Sequence, residues 1–126
     1  MTGLAARFFG SAVVYAVLGM TLGLVMGITH DHSQLPTHAH ILVIGWVSFA
    51  IYGFFYHLFP ASAASPLAAA HFWLAQAGFL TLITGLFLMF AGNPGAEPLA
   101  AIGSIALLLS AAVFAVVALP VLRARA

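Results

Sequence analysis

His38-Ala39-His40 leads into the mostly apolar run ILVIGWVSFAIYGFFYHLF, which occupies positions 41–59. From His40 to Phe59 the stretch has about 20 residues, enough to cross a bilayer as an α-helix at ~1.5 Å per residue. It therefore predicts a membrane-spanning helix with two imidazoles at one end. Because imidazole is the commonest side-chain metal ligand, this end of the helix is the predicted functional site.

The composition extends the membrane assignment to the whole chain. Of the 126 residues, 64% are hydrophobic and 4% are charged. The charged residues all lie outside the middle of the apolar runs: Arg7, Asp31, Glu97, Arg123 and Arg125. A soluble domain of this size needs a more polar exterior, so we expect an integral membrane protein whose surroundings are the lipid bilayer.

Charge and cysteine content exclude several classes of function. The formal net charge of +1, with no basic cluster apart from a short C-terminal tail, argues against binding of nucleic acid. The chain has no cysteine, which excludes disulfides, zinc ribbons, iron–sulfur clusters and covalently attached c-type haem. A haem in this protein would be non-covalent, and a metal would use His, carboxylate or Met ligands.

Four apolar segments predict the architecture. They cover residues 7–28, 40–59, 71–91 and 99–122. Each has about 20 to 24 residues, which matches a hydrocarbon core ~30 Å thick. The breaks between them contain polar residues, proline and glycine. We therefore expect an all-α, integral membrane four-helix up-down bundle formed by one domain, residues 1–126. The first segment is too long for a signal peptide and is expected to be a retained helix.

The arginines predict the orientation of the bundle. Arg7 precedes the first helix, and Arg123 follows the fourth, so by the positive-inside rule both termini are expected to be cytoplasmic, in the cell inner (cytoplasmic) membrane. This orientation places four histidines at the outer face: His30, His32, His38 and His40. His57 and His71 then lie near the inner face, where we expect both side chains to extend to the membrane interface.

The outer histidines are the candidate ligands. Two positions along an α-helix advance by about 200°, so His38 and His40 point to nearly opposite faces, which suits two sites or two planar cofactors. Interfacial histidines wetted by headgroup water are the alternative, but four histidines within eleven residues, beside a carboxylate, favour the ligand interpretation. His30, Asp31 and His32 could form a transition-metal site or a solvated loop, and their spacing does not separate these interpretations.

Small and polar residues inside the helices have structural interpretations. Gly19, Gly23 and Gly27 form a ridge on the first helix, which favours helix packing over a groove for a flat ligand. Polar side chains of the third helix are expected to bond to other helices or back to their own backbone: Gln76, Thr81 and Thr84.

The stretch from Thr29 to Pro60 resembles the tenth transmembrane helix, with its preceding loop, of the catalytic subunit of haem–copper oxidases, a superfamily that includes nitric oxide reductases. The matching residues are Thr29-His30-Asp31, His38-Ala39-His40, Gly45-Trp46, Gly53 and Tyr56 to Pro60, with no gap. The Ala between the histidines and the Gly-Trp pair resemble the C-family oxidases and nitric oxide reductases. Ala70-His71-Phe72-Trp73 resembles the start of the eleventh helix and Gly103-Ser104 a point in the twelfth, so the four helices would correspond to the ninth to twelfth.

The resemblance implies a cofactor and its ligands. In that family the first histidine of the pair holds the active-site haem, and the second holds the low-spin haem on the other side of the helix. It thus implies His38 and His40 as ligands of haem b, and it places His30 and Asp31 beside the propionates and, in some members, a magnesium ion. The family's copper ligands and its opposite haem ligand have no counterpart here, so one copy is not expected to reduce oxygen or nitric oxide.

The resemblance also bears on assembly and function. The family's twelve helices form three arcs of four, so a homotrimer would rebuild the outline, and a homodimer with haem between paired histidines is the alternative. The preferred hypothesis is a b-type haem protein for electron transfer or diatomic gas binding, with a respiratory-chain electron donor as partner. Two alternatives remain: a protein that binds copper or another divalent metal, and a cofactor-free assembly or structural partner of a respiratory complex.

Overall fold

The computed structural model describes residues 1–124 and shows four long helices joined by short connections. We label the helices in chain order: α1 Gly3–Thr29, α2 Leu35–Leu58, α3 Pro66–Phe90 and α4 Glu97–Arg123. Helical turns at Pro60–Ala63 and Pro94–Ala96 lie in the second and third connections. The described residues contain no strand.

Each long helix within residues 1–124 is long and apolar enough to cross a membrane, by length and composition. The prediction of an all-α bundle of apolar helices is confirmed. The last three helices begin earlier than their predicted segments because Pro36, Pro66 and Pro98 stand in their first turns. At these positions the missing N–H of proline costs no helical hydrogen bond. The Ser65 hydroxyl caps α3 by accepting from the N–H of Leu67 at 3.3 Å.

The bundle consists of two helix hairpins packed side by side. Helix α1 packs along α2 and α3 packs along α4, while α3 also contacts α1 and α2. Both chain ends lie at the same end of the bundle, since Thr2 lines a cavity with Ala64 and Ala124 lines another with Ser62. This arrangement is the predicted up-down order.

Helices α3 and α4 touch through their backbones. A Cβ atom built on Gly103 would lie 2.3 Å from the amide nitrogen of Leu82, and one built on Gly85 would lie 2.4 Å from the amide nitrogen of Ala100. No side chain fits at such distances. Glycine therefore sets the separation of these two helices, as small residues commonly do between membrane helices.

Aromatic rings fill the space between the two hairpins. Phe8 of α1 is fully buried, and its ring centroid lies 5.5 Å from Phe49, 5.6 Å from Tyr56 and 4.9 Å from Phe72. Large apolar side chains also cover the outside of the bundle, where Leu108 is 71% exposed. An apolar core with an apolar exterior fits a helix bundle surrounded by lipid rather than by water.

Polar side chains form hydrogen bonds between α1 and α3. The Tyr15 hydroxyl donates to Oε1 of Gln76, and Nε2 of Gln76 donates to the Ser11 hydroxyl, so these bonds join α1 to α3. The Thr84 hydroxyl donates to the carbonyl of Leu80 at 2.8 Å. The prediction that these side chains bond to another helix or to their own backbone is confirmed for Gln76 and Thr84. It is wrong for Thr81, whose hydroxyl makes no hydrogen bond in the part of the chain that the structure describes.

The middle of α2, Ile41–Ser48, is a π-helix, in which hydrogen bonds join residues five positions apart. The Ser48 hydroxyl donates to the carbonyl of Val43, five residues earlier, at 3.1 Å. A Cβ atom on Gly45 would lie 2.5 Å from the ring of Phe79. Because a π turn holds more residues than an α turn, it changes the face on which every later residue of α2 lies.

Gly103→Ala is expected to destabilise the bundle because the added methyl group must push α4 away from α3. Overpacking of this kind typically costs about 1–3 kcal/mol. Unfolding of the purified protein in detergent, followed by circular dichroism, measures the loss. Gly10→Ala is the matched control, since nothing lies within 4 Å of a Cβ atom there and alanine is favoured over glycine inside helices by ~0.5–1 kcal/mol. Equal stability of the Gly103→Ala protein and the wild type would contradict backbone contact between α3 and α4.

Candidate functional site

His38 lies in the first turns of α2 and is held by α1. Its Nδ1 atom lies 2.8 Å from the carbonyl oxygen of Gly19. A carbonyl oxygen accepts only, so the hydrogen is assigned to Nδ1 of His38. The ring reaches this carbonyl because Gly23 has no side chain: a Cβ atom there would lie 2.6 Å from Cε1 of His38.

His40 is anchored differently, within its own helix. Its Nδ1 atom lies 2.7 Å from the carbonyl oxygen of Pro36, one turn earlier, and by the same reasoning it carries the hydrogen. The side chain lines a shallow depression of about 240 Å³ with Ala39, Val43 and Ile44. His40 therefore presents its ring away from α1, beside an apolar surface.

The two histidines share one hydrogen-bonding pattern. Each donates from Nδ1 to a backbone carbonyl, which leaves the lone pair of Nε2 available. Neither Nε2 atom has a hydrogen-bond partner in the part of the chain that the structure describes. Histidines that bind metals in proteins almost always donate their other ring N–H in this way, because the bond fixes the tautomer and raises the basicity of the ligating nitrogen.

The loop before α2 holds the other predicted ligands, and all three are exposed. His30 ends α1 in the left-handed conformation with φ 56°, and its carbonyl lies 3.2 Å from Nδ1 of His32. The N–H of Ser33 donates to the Asp31 carboxylate at 3.0 Å, which lowers the pKa of Asp31. Between residues 1 and 124, no three His, Asp or Glu side chains are grouped so that they could hold a metal ion. A metal site formed by His30, Asp31 and His32 therefore stays a prediction. In a single chain these three side chains are not grouped around one position.

The glycine ridge of α1 packs against α2. A Cβ atom on Gly19 would lie 2.6 Å from the Leu42 side chain, whereas nothing lies within 4 Å of one on Gly27. The predicted role in helix packing is confirmed for Gly19 and Gly23. At Gly23 the partner is the ring of His38, so the ridge also positions a candidate ligand.

The two inner histidines differ from each other. His57 is exposed, in agreement with an interfacial side chain. The same prediction for His71 is wrong, because His71 is fully buried and its Nδ1 atom lies 2.9 Å from the hydroxyl oxygen of Tyr56. The error follows from the helix boundary: α3 begins at Pro66, so His71 lies more than one turn inside the helix rather than at its mouth.

Tyr56 is the site residue that the sequence did not reveal. In the sequence it lies near the end of the apolar run at positions 41–59, and its partner is 15 positions away on another helix. A tyrosine and a histidine flanking a short connection are the only signal in the sequence, and that signal is common. The pairing depends on how α2 and α3 are rotated, which includes the effect of the π-helix.

A crevice lies between α1, α2 and α3 at the end of the bundle that carries His38. Its volume is about 380 Å³, within the range of small-molecule sites. Its lining is apolar apart from two threonines: Leu18, Leu22, Thr37, Ile41, Ile83, Thr84, Phe87 and Leu88. Neither His38 nor His40 lines it. A large planar ligand on either histidine would therefore need a further surface, from lipid or from another chain.

The comparisons with known proteins found no relative. No protein-family model, no curated protein and no solved structure matches this chain. The function has to be inferred from the residues and their geometry.

Proposed function

We propose that this protein is a membrane-embedded b-type haem protein in which His38 and His40 are the axial ligands, and that it carries electrons or binds a diatomic gas. The observation that carries the proposal is the shared geometry of the two imidazoles. At one end of a helix of membrane-spanning length, each has its Nδ1 hydrogen bound to a backbone carbonyl and its Nε2 lone pair free.

The donor set fits haem iron. Neutral imidazole nitrogen is a common axial ligand, and the absence of cysteine limits the protein to non-covalent haem. A bound haem would supply one-electron redox chemistry and, where a coordination position is open, a binding site for oxygen or nitric oxide. The resemblance of residues 29–60 to the haem-ligating helix of haem–copper oxidases supports the same ligands.

The chain's own residues would prepare the ligands in two ways. The carbonyls of Gly19 and Pro36 hold the rings in one orientation and one tautomer, so no rearrangement is needed when Nε2 binds. Gly23 provides the space that lets His38 reach Gly19. His38 is anchored to α1 and His40 to its own helix, so the two histidines would bind ligands on different faces of α2.

Enclosure of the cofactor would come from assembly. A single chain has only a depression of about 240 Å³ beside His40, which is less than typical small-molecule sites. We favour a homotrimer, by analogy with the three four-helix arcs of the resembling family, with a homodimer as the other symmetric arrangement. Either would bring further copies of His38 and His40 to the same assembly.

The location that fits this function is the cell inner (cytoplasmic) membrane, with both termini in the cytoplasm. Arg7 and Arg123 lie towards the chain ends, which occupy one end of the bundle, and this supports the orientation by the positive-inside rule. The candidate ligands would then lie near the outer face, within reach of a respiratory-chain electron donor.

The purified protein, from cells supplied with haem, is expected to show a Soret band and reduced-minus-oxidised bands of haem b. His40→Ala and His38→Ala are each expected to weaken the Soret band, because each removes the axial ligand on one face of α2. His57→Ala is the matched control, since His57 is exposed at the other end of α2. Circular dichroism verifies that each variant is folded.

Two other results of that preparation would favour other functions. Metal in elemental analysis without a Soret band, lost in a His30→Ala/His32→Ala variant, would favour a copper or other divalent-metal protein. A folded protein with neither haem nor metal would favour a cofactor-free partner of a respiratory complex. Both results would contradict the haem proposal.

Gly23→Ala is expected to displace the His38 ring, because the new Cβ atom would lie 2.6 Å from Cε1. The loss of the bond to Gly19 should shift the absorbance spectrum or weaken haem retention, measured by titration of the apoprotein with haem. Gly27→Ala is the control on the same ridge, where a Cβ atom has nothing within 4 Å. An identical haem titration for both variants would show that the anchor of His38 does not matter.

The absence of native cysteine allows a direct test of orientation. Single cysteines are placed at two exposed positions, Ser33→Cys before α2 and Ala64→Cys after it. A membrane-impermeant maleimide is expected to label the Ser33→Cys protein in intact spheroplasts and the Ala64→Cys protein only after permeabilisation. The reverse pattern would place the termini outside.

A further inference from the structure

A buried tyrosine–histidine pair lies far from His38 and His40. Tyr56 is 1% exposed and His71 is fully buried. The hydroxyl oxygen of Tyr56 lies 2.9 Å from Nδ1 of His71. Tyr56 lies 16 positions beyond His40, about 24 Å along the helix at ~1.5 Å per residue, so the pair is a separate site.

The second ring nitrogen of His71 distinguishes this pair from an ordinary helix contact. Its Nε2 atom is buried and has no hydrogen-bond partner in the structure of residues 1–124. A buried polar atom without a partner lowers stability, and native proteins contain few of them. Apolar side chains at both positions 56 and 71 would fill the space without leaving a buried polar atom unpaired.

Aromatic rings surround the imidazole of His71. Ring centroids lie at 4.5 Å for Tyr52, 4.9 Å for Phe8 and 5.2 Å for Phe114. Aromatic faces within ~6 Å attract a cation. An imidazolium formed at His71 would gain this attraction, which offsets part of the cost of placing a charge in apolar surroundings.

The pair borders a cavity at the end of the bundle where the chain termini lie. Tyr56 lines this cavity of about 320 Å³ together with Thr2, His57 and Ala64. An electron can therefore leave the Tyr56 ring towards this surface without crossing the bundle.

We propose that Tyr56 and His71 form a redox-active pair, in which a strong one-electron oxidant removes an electron from the Tyr56 phenol while its proton moves to Nδ1 of His71. The O–H bond of Tyr56 breaks, an N–H bond forms at Nδ1, and the electron goes to the oxidant. The products are a neutral tyrosyl radical and an imidazolium, and re-reduction reverses both transfers. The two transfers are coupled because the hydroxyl oxygen of Tyr56 lies 2.9 Å from Nδ1 of His71, so the proton has an acceptor within hydrogen-bond distance as the electron leaves.

The other tyrosines of the chain lack such a proton acceptor. The protein has three tyrosines. Tyr15 donates to the side-chain oxygen of Gln76, and an amide is not a base at neutral pH. Tyr52 makes no hydrogen bond in the described structure. These two residues therefore provide internal controls.

The experiment uses the full chain in detergent with a photo-oxidised ruthenium polypyridyl complex as the one-electron oxidant. In the Tyr15→Phe/Tyr52→Phe variant, Tyr56 is the sole tyrosine. This variant is expected to give the electron paramagnetic resonance signal of a neutral tyrosyl radical and to form it more slowly in D₂O. Adding His71→Gln, which cannot accept the proton, should slow radical formation at neutral pH by roughly a hundredfold, the lower end of what a positioned base contributes.

His57→Gln is the matched control, because His57 also lines the cavity but is exposed, and it should leave the rate unchanged. Loss of the radical in the variant that retains only Tyr56 would overturn the proposal. An unchanged rate of radical formation in the folded His71→Gln protein would also overturn the proposal. The hydrogen bond between Tyr56 and His71 would then have only a structural role, joining α2 to α3. If His71→Gln does not fold, as judged by circular dichroism, the test is the rate of radical formation in D₂O for the Tyr15→Phe/Tyr52→Phe variant. An equal rate in H₂O and D₂O would reject the proposal. None of these outcomes depends on haem binding.

Discussion

Close backbone contact at glycine is the constraint on which the rest of this structure depends. Helices that are apolar on all sides gain little from hiding apolar surface from lipid, so they associate where small residues let them approach closely. Gly85 and Gly103 meet this need between α3 and α4, and Gly19 does so between α1 and α2. The aromatic core then fills the space that remains between the two hairpins.

The same contact creates the candidate site. A carbonyl within a helix is usually shielded by side chains, but the glycines of α1 expose the one at Gly19 to the ring of His38. The imidazole therefore bonds to α1 through Nδ1 and keeps Nε2 free. His40 donates an equivalent hydrogen bond to the carbonyl of Pro36 in its own helix. The orientation of one ring is therefore fixed by a neighbouring helix, and that of the other by the preceding turn.

The two ends of the bundle have different chemistry. At the end with His38 and His40, ring nitrogens with free lone pairs lie near the surface. At the other end, His71 is enclosed by aromatic rings, and its hydrogen-bond partner Tyr56 lines a cavity at the surface. Ionisable residues inside membrane helices are costly and usually functional. One end thus holds the proposed haem ligands, and the other holds the proposed redox pair.

The sequence by itself determined the number of long helices and the position of His38-Ala39-His40 at the end of one, because hydrophobicity and helix length are local properties. It placed the start of α3 too late, since Pro66 looked like part of a turn, and this put His71 at the surface instead of in the core. Only the tertiary structure decided that His38 bonds to Gly19 and that Tyr56 bonds to His71. These partners belong to different helices, and their meeting depends on helix rotation, which the π-helix of α2 alters and which hydrophobicity does not encode.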